Sequence, residues 1–231
     1  MCYNINVGVK TLKNTIKEKW KMRKLSLKDG VINNKKVDYN LYGALQEMSY
    51  LKDGKRFVYA ADATPKKLEE KLTPAGADKP IISNSTIKRG LALFQKPEIN
   101  LITAGTVEDL HGKTVKCYWL NEDENFYQLI PLDTLRFLIN FTNSNSIKVY
   151  AYLLNKYQNF DGYSFTGKEL LEVLGMNTSK LENKTMIKDV LHGLSLIGLI
   201  DYAEYYEKNF DGAPVPRKRL INVKTNVKGL K

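Results

Sequence analysis

Residues 85–102, STIKRGLALFQKPEINLI, and residues 185–200, TMIKDVLHGLSLIGLI, repeat one pattern about 100 positions apart. In each stretch, apolar residues recur at i, i+4 and i+7, the spacing of one face of a helix, and a short apolar strand follows. A shorter predicted helix precedes each stretch, and a segment rich in turns and strands follows it. The sequence therefore predicts a structural unit that occurs twice.

The predicted order within each unit is helix, turn, helix, strand and wing, which is typical of a winged helix and of proteins that bind nucleic acid. We expect a mainly α fold with small β wings, in the α+β class, built from two tandem winged-helix domains and an N-terminal basic helix. The predicted parts are a basic arm over 1–37, a first winged-helix domain over 38–125 and a second over 126–231.

Apolar spacing and capping residues predict the individual elements. Val9, Leu12, Ile16 and Trp20 indicate an amphipathic basic helix over 7–25, for which a membrane surface is an alternative partner. The other predicted helices cover 39–51, 64–73, 84–96, 131–140, 145–157, 167–175 and 180–197. The predicted caps are Thr64 and Ser83, with capping boxes at Thr166/Glu169 and Ser179/Glu182. Predicted strands cover 56–61, 99–103, 114–120, 163–165, 199–206 and 218–227.

Composition narrows the class of protein. The 231 residues contain 43% apolar residues but no apolar run long enough to span a membrane, and the first residues lack the apolar core of a signal peptide. We therefore expect a cytoplasmic protein. Cys2, Cys117, His111 and His192 are the only Cys and His residues, so we expect reduced thiols, no metal site and no cofactor.

The positive charge is concentrated at the two ends of the chain. The formal net charge is +11, but residues 1–37 carry ten Lys or Arg against two acids, and residues 212–231 carry six against none. Basic ends around a nearly neutral middle fit an anionic polymer, because each neutralised phosphate releases counterions. The alternative interpretation is an ordinary solvated basic surface or tail.

The third helix of each unit, over 84–96 and over 180–197, is the one that would enter a major groove. Its polar and cationic residues are the candidate DNA contacts, together with the basic wing near the C-terminus. The candidates are Asn84, Ser85, Thr86, Lys88 and Arg89 in the first unit, Lys180, Asn183, Lys184, Thr185 and Lys188 in the second, and Arg217, Lys218, Arg219 and Lys224 in the wing. Asn and Arg suit base edges, whereas Lys, Ser and Thr suit phosphates. Polar residues on the solvent face of any helix remain the alternative.

Catalysis finds little support in the sequence. Residues 162–169, GYSFTGKE, nearly match a phosphate-binding loop, but Glu169 replaces the hydroxyl that would hold magnesium, and a capping box explains the segment. Two histidines and two cysteines, none with a partner close in sequence, do not indicate a nucleophile or an acid–base pair. We therefore expect a protein that is not an enzyme.

Residues 126–200 resemble the winged-helix domain of replication initiators and replisome organisers from plasmids and phages of low-GC Gram-positive bacteria. The residues that carry the resemblance are YQLIP at 127–131, IKVYAYLL at 147–154, Phe165, Thr166, Leu170, Leu174 and Gly175, followed by Ile187, Leu191, Leu194 and IGLI at 197–200. The pair of units is also similar to iteron-binding plasmid initiators. This resemblance implies tandem domains that grip successive grooves of one duplex.

The expected function is sequence-specific binding of double-stranded DNA at a replication origin of a plasmid or phage. A transcriptional regulator of a mobile element shares the same chemistry and remains open. A protein–protein adaptor and an RNA-binding regulator are the alternatives from other classes. The expected partner is duplex DNA, while a homodimer and contacts with replication or transcription proteins stay open and no membrane partner is expected.

Overall fold

The computed structural model describes residues 21–122, 124–208 and 210–225. Within these residues the fold is mixed α/β, with seven helices, nine strands in three sheets, 38% helix and 26% strand. The prediction of a mainly α fold with small wings is therefore wrong. No helix of the described residues is long and apolar enough to cross a membrane.

The elements alternate along the chain. The helices are α1 (Tyr39–Met48), α2 (Pro65–Lys71), α3 (Asn84–Phe94), α4 (Leu132–Phe141), α5 (Ser144–Asn159), α6 (Gly167–Val173) and α7 (Leu181–Leu196). The strands are β1 (Met22–Ser26), β2 (Tyr50–Lys52), β3 (Lys55–Tyr59), β4 (Ile102–Glu108), β5 (Thr114–Leu120), β6 (Tyr127–Pro131), β7 (Ser164–Phe165), β8 (Ile200–Lys208) and β9 (Pro214–Val223).

The N-terminal helix prediction is wrong where the structure tests it. Residues 22–25 belong to β1, which pairs antiparallel with β6 in a register that joins Met22 to Pro131. Arg23 and Leu25 are buried on alternate positions, so the segment follows the period of a strand. Local spacing alone indicated a helix. The pairing that makes this segment a strand involves residues about 100 positions away, so the local pattern does not reveal it. The rest of the predicted helix, residues 7–20, lies outside the described residues.

The sheets explain why the fold has more strand than predicted. The first half forms a four-stranded sheet in the order β2-β3-β5-β4, in which β4 runs over 102–108 instead of 99–103. A backbone turn occupies the predicted strand start, because the Asn100 N–H donates to the Lys96 carbonyl at 2.7 Å and Asn100 has φ +48°. The second half forms a sheet in the order β7-β9-β8, and β9 covers 214–223 instead of 218–227.

The first half has the order α1, β2, β3, α2, α3 and the β4–β5 hairpin, and the second has α4, α5, β7, α6, α7 and the β8–β9 hairpin. All seven predicted helices of the two units are present. The Thr64 and Thr166 hydroxyls cap α2 and α6, as predicted, but the Glu169 carboxylate, the other half of the predicted box, accepts from two tyrosine hydroxyls instead. Ser83 makes no side-chain cap bond; Oε1 of Glu69 accepts from the Asn84 N–H at 2.8 Å instead. The Ser179 box is also wrong, because α7 begins after Lys180 without a side-chain cap.

The two halves share one hydrophobic core, which runs from Leu25 to Val223. Helices α1 and α4 approach closely at Gly43, where an added Cβ would lie 2.7 Å from Cγ2 of Ile139. Beside this contact, the Glu47 carboxylate of α1 accepts from Arg136 of α4 at 2.7 Å and also pairs with Lys71. Burial opposes ionisation of Glu47, but hydrogen bonds from Lys71 and Arg136 hold its pKa below the ordinary value.

Lys148 of α5 is buried beneath the loop of residues 33–37. Its ammonium donates to the Asn34 carbonyl oxygen at 2.8 Å and lies 5.1 Å from the centre of the Tyr39 ring. Burial lowers the pKa of Lys148 to about 8, although the Asp38 carboxylate acts in the opposite direction. A buried ammonium thus anchors this loop.

Above pH 8, loss of the charge of Lys148 is expected to raise the free energy of unfolding progressively. Between the folded pKa and the ordinary value near 10.5, the unfolded chain binds a proton that the folded chain has released. The free energy of unfolding should therefore rise by about 2 kcal/mol between about pH 7.5 and pH 9.5. Urea unfolding of the wild type and of Lys148→Met measures the difference; an equal rise in the variant would assign the effect to another group.

Candidate nucleic-acid interface

Helix α3 presents one face to the core and one to solvent. Ile87, Leu91 and Phe94 are buried, and Gly90 meets Leu41 so closely that an added Cβ would lie 2.5 Å from its Cδ2 atom. The opposite face exposes Ser85, Lys88 and Arg89, three of the candidate contacts. The rotation of α3 is therefore set by its packing, and its cationic face is left free of the core.

The other two candidates of α3 are partly buried near its N-terminus. The Asn84 N–H donates to the Glu69 carboxylate, and the Arg89 guanidinium donates to the Thr86 hydroxyl at 3.3 Å. The negative charge of Glu69 occupies the helix end that would otherwise favour a phosphate. DNA contacts on this helix would therefore fall to its exposed cations, Lys88 and Arg89.

Helix α7 exposes a row of lysines. Ile187, Val190, Leu191 and Leu194 pack into the core. Lys184 and Lys188 are exposed one turn apart on one face of α7, and exposed Lys180 lies immediately before the first residue of the helix. The structure thus brings three of the five candidates of the second unit together.

Asn183 and Thr185 are placed differently from these lysines. The Asn183 side-chain amide donates to the Asn177 carbonyl oxygen at 2.7 Å, which engages it in the loop before α7. Thr185 lines a cavity of about 1080 Å³ between α7, the end of α4 and the loop before α3. Phe141 and Leu181 on the wall of this cavity are 69% and 77% exposed, so Thr185 belongs to an apolar groove.

The β8–β9 hairpin carries the predicted wing cations, and two of them have carboxylate partners. Arg217 Nε lies 2.9 Å from Glu207, and the Lys218 ammonium lies 2.5 Å from Glu204. The hydrogen bond and charge of Lys218 lower the pKa of Glu204, and the charge of Lys188 on α7 adds to this effect. Lys188 of α7 therefore lies near the hairpin, and part of the hairpin's own charge is neutralised.

Arg219 and Lys224 complete the predicted set. Arg219 is exposed, and its guanidinium lies against Gly162, where an added Cβ would be 2.7 Å from Nη2. Lys224 is exposed beyond the end of β9, where its carbonyl oxygen accepts from the Tyr150 hydroxyl at 2.7 Å. Both cations are exposed to solvent on the surface of the second half of the chain.

Helices α3 and α7 lie on either side of the α4–α5 junction. Two residues, Ile81 and Asn143, line both the apolar groove beside α7 and a second cavity beside α3. Of the candidate residues, Thr185 lines the first cavity and Thr86 and Arg89 line the second, so these three lie near one junction of the fold although their sequence positions are about 100 residues apart.

Sequence reasoning missed part of the charge in the second cavity. Lys35, Lys36 and Lys96 line it together with Arg89. By sequence, Lys35 and Lys36 belong only to the basic arm, and nothing indicates a role for Lys96. The available signal was the Lys35-Lys36 pair just before the Asp38 cap of α1, but its proximity to α3 depends on tertiary packing.

Glu169, in the segment 162–169, is the centre of a hydrogen-bond network with two tyrosines. The Glu169 carboxylate accepts hydrogen bonds from Tyr163 and, at 2.8 Å, from Tyr152, while its N–H donates to the Thr166 hydroxyl at 3.1 Å. Burial is the main cause that raises the pKa of Tyr152 to about 12. Glu169 is thus held by packing and capping interactions.

Among the described residues, no group of three or more His, Cys, Asp or Glu side chains is placed to hold a metal ion. Cys117 is buried in the four-stranded sheet, and burial raises the pKa of its thiol. His111 and His192 are exposed, in the β4–β5 turn and on α7. Cys2 lies outside the described residues.

Comparison of the chain with known proteins gave no match to a family model, to a curated protein or to a solved structure.

Proposed function

We propose that this protein binds double-stranded DNA in a sequence-specific way and acts at a replication origin of a plasmid or phage. The observation that carries the proposal is the pair of exposed cationic faces on α3 and α7. The two helices occupy equivalent positions in the two repeats and flank the same junction. An exposed helix of this kind fits the major groove, which is about as wide as a helix with its side chains.

The two faces would divide the chemistry of recognition. Arg89 is the residue best suited to a bidentate contact with guanine, and Ser85 is suited to a base edge or a phosphate. Lys88 on α3 and the lysine row of α7 would hold phosphates on the flanks of the groove. Base reading would thus be concentrated on α3, and phosphate contacts on α7 and the hairpin.

The choice of replication over transcription rests on the resemblance of residues 126–200 to plasmid and phage initiators. A transcriptional regulator would bind through the same residues, so binding measurements do not separate the two roles. Plasmid maintenance in cells with and without the protein does, because an initiator is required for copying of its own origin.

Duplex affinity is expected to fall steeply with salt. The four phosphate contacts proposed for the two helices, from Lys88, Lys180, Lys184 and Lys188, would contribute about −3.6 to the slope of log affinity against log salt concentration. Fluorescence anisotropy with a duplex selected from a random pool measures this slope, and a scrambled duplex measures specificity. Absence of duplex binding at low salt would reject the proposal.

A protein–protein adaptor is the second candidate, and the apolar groove between α4 and α7 favours it. Exposed Phe141 and Leu181 stand on the wall of this groove, and exposed apolar patches often mark partner sites. Phe141→Ser with Leu181→Ser would abolish partner binding under the adaptor hypothesis but leave duplex affinity unchanged under the DNA hypothesis. An electrophoretic shift assay beside a pull-down distinguishes the two outcomes.

A further inference from the structure

A cationic cleft lies between the loop of residues 33–37, α3 and the N-terminal end of α5. Its volume is about 780 Å³, which is within the range of small-molecule sites. Four cations line it: Lys35, Lys36, Arg89 and Lys96. They come from two segments separated by about 50 residues, so the fold assembles the cluster.

The cleft carries a clear excess of positive charge. Asp38 is the one carboxylate among its described lining residues, and its side chain already accepts from the N–H groups of Asn40 and Leu41 as the cap of α1. The Lys96 ammonium lies 3.9 Å from Glu98, but both side chains are more than half exposed, so this pair is weak. An anionic ligand would therefore meet cations that are only partly neutralised.

The loop that presents two of the cations is held in place. The Lys36 N–H donates to the Asn34 side-chain oxygen at 2.9 Å, and the Val37 N–H donates to the Asn34 carbonyl at 3.1 Å. The same carbonyl accepts from buried Lys148. These bonds order the backbone at Lys35 and Lys36, so ligand binding would cost little backbone conformational entropy there.

The N-terminal end of α5 forms the third wall of the cleft and adds polar groups that suit an anion. Helix α5 has 16 residues, and its first positions, with Asn143 as the cap, line the cleft. The partial positive charge of a helix N-terminus adds to that of the four cations. Thr86 and Ser144 contribute hydroxyl groups, and the Ser144 oxygen accepts from the Tyr39 N–H at 2.8 Å.

We propose that this cleft binds phosphoryl groups, through Lys35, Lys36, Lys96 and Arg89 with the N-terminal end of α5. The phosphoryl group belongs either to the backbone of a nucleic acid or to a free phosphorylated molecule. The inference goes beyond the proposed function, because it applies to a free phosphorylated ligand even if no duplex binds.

The test compares two sets of substitutions in the full chain. The cleft variant combines Lys35→Gln, Lys36→Gln and Lys96→Gln, leaving Arg89 unchanged because it also belongs to the proposed reading face. The control variant combines Lys55→Gln, Lys66→Gln and Lys113→Gln, which are exposed and do not line the cleft. Circular dichroism checks that both variants keep the wild-type fold.

Titration with inorganic pyrophosphate and titration with a duplex of about 20 base pairs separate the two sources of phosphate. If the source is a free ligand, the wild type and the control bind pyrophosphate saturably, and the cleft variant binds it at least about tenfold more weakly. If the source is a nucleic-acid backbone, only the duplex binds. The cleft variant then loses about tenfold or more in duplex affinity, and its salt slope falls by about 2.7.

Equal binding of both probes by the wild type and the cleft variant would overturn the inference, as would a wild type that binds neither probe. The two proposals fail separately. If the cleft variant retains duplex binding and its pyrophosphate binding is also no weaker than that of the wild type, the cleft is rejected and the proposed function stands. Pyrophosphate binding without duplex binding supports the cleft and rejects the proposed function.

Discussion

Gly175→Ala is expected to lower the free energy of unfolding by about 3 kcal/mol or more. Gly175 follows α6 with φ +65°, a conformation that side chains rarely adopt, and an added Cβ would lie 2.0 Å from the carbonyl oxygen of Asn33. That atom is backbone, and the adjacent residue Asn34 is held by Lys148. The loop would have to move away, which would disturb the contact between residue 33 and the second half of the chain.

Gly112→Ala is the matched control for this prediction. Gly112 has φ +75° in the exposed β4–β5 turn, and an added Cβ would meet nothing within 4 Å. Gly112→Ala should lower the free energy of unfolding only by the conformational strain, about 1 kcal/mol. Urea unfolding of both variants measures the difference. Equal losses would show that the close approach of Gly175 to Asn33 contributes nothing to stability.

Neutralising the lysine face of α7 is expected to reduce duplex affinity by about 100-fold at moderate salt. The variant combines Lys180→Gln, just before the helix, with Lys184→Gln and Lys188→Gln on its exposed face; all three positions are exposed. Each lost phosphate contact should reduce the salt slope by about 0.9, so the slope should fall by about 2.7 in total. Fluorescence anisotropy at several salt concentrations measures both quantities.

The paired wing cations provide the comparison. Arg217→Gln with Lys218→Gln should weaken duplex binding much less, by about fivefold at most, because Glu207 and Glu204 already neutralise these side chains. If the wing variant lost more affinity than the α7 variant, the hairpin would be the principal contact. If neither changed affinity, the phosphate-binding role proposed for these surfaces would be wrong.

The helices were the most predictable part of this fold. The core positions of α3 and α7, such as Ile87 and Ile187, recur at helical spacing, and Thr64 and Thr166 mark helix starts with their own hydroxyl groups. The strands were less predictable, because their pairing depends on partners distant in the chain. The segment 22–25 looked helical by its local spacing, and only its pairing with β6 makes it a strand.

The candidate site divides in the same way. The sequence by itself determined which residues form the repeated helices and that the charges of α3 and α7 lie opposite their apolar faces, because helical period is a local property. Only the tertiary structure decided that Arg217 and Lys218 meet carboxylates, that Thr185 lines an apolar groove and that Lys35 and Lys36 lie beside Arg89. These relations join residues far apart in the chain, and packing of the shared core sets their distances.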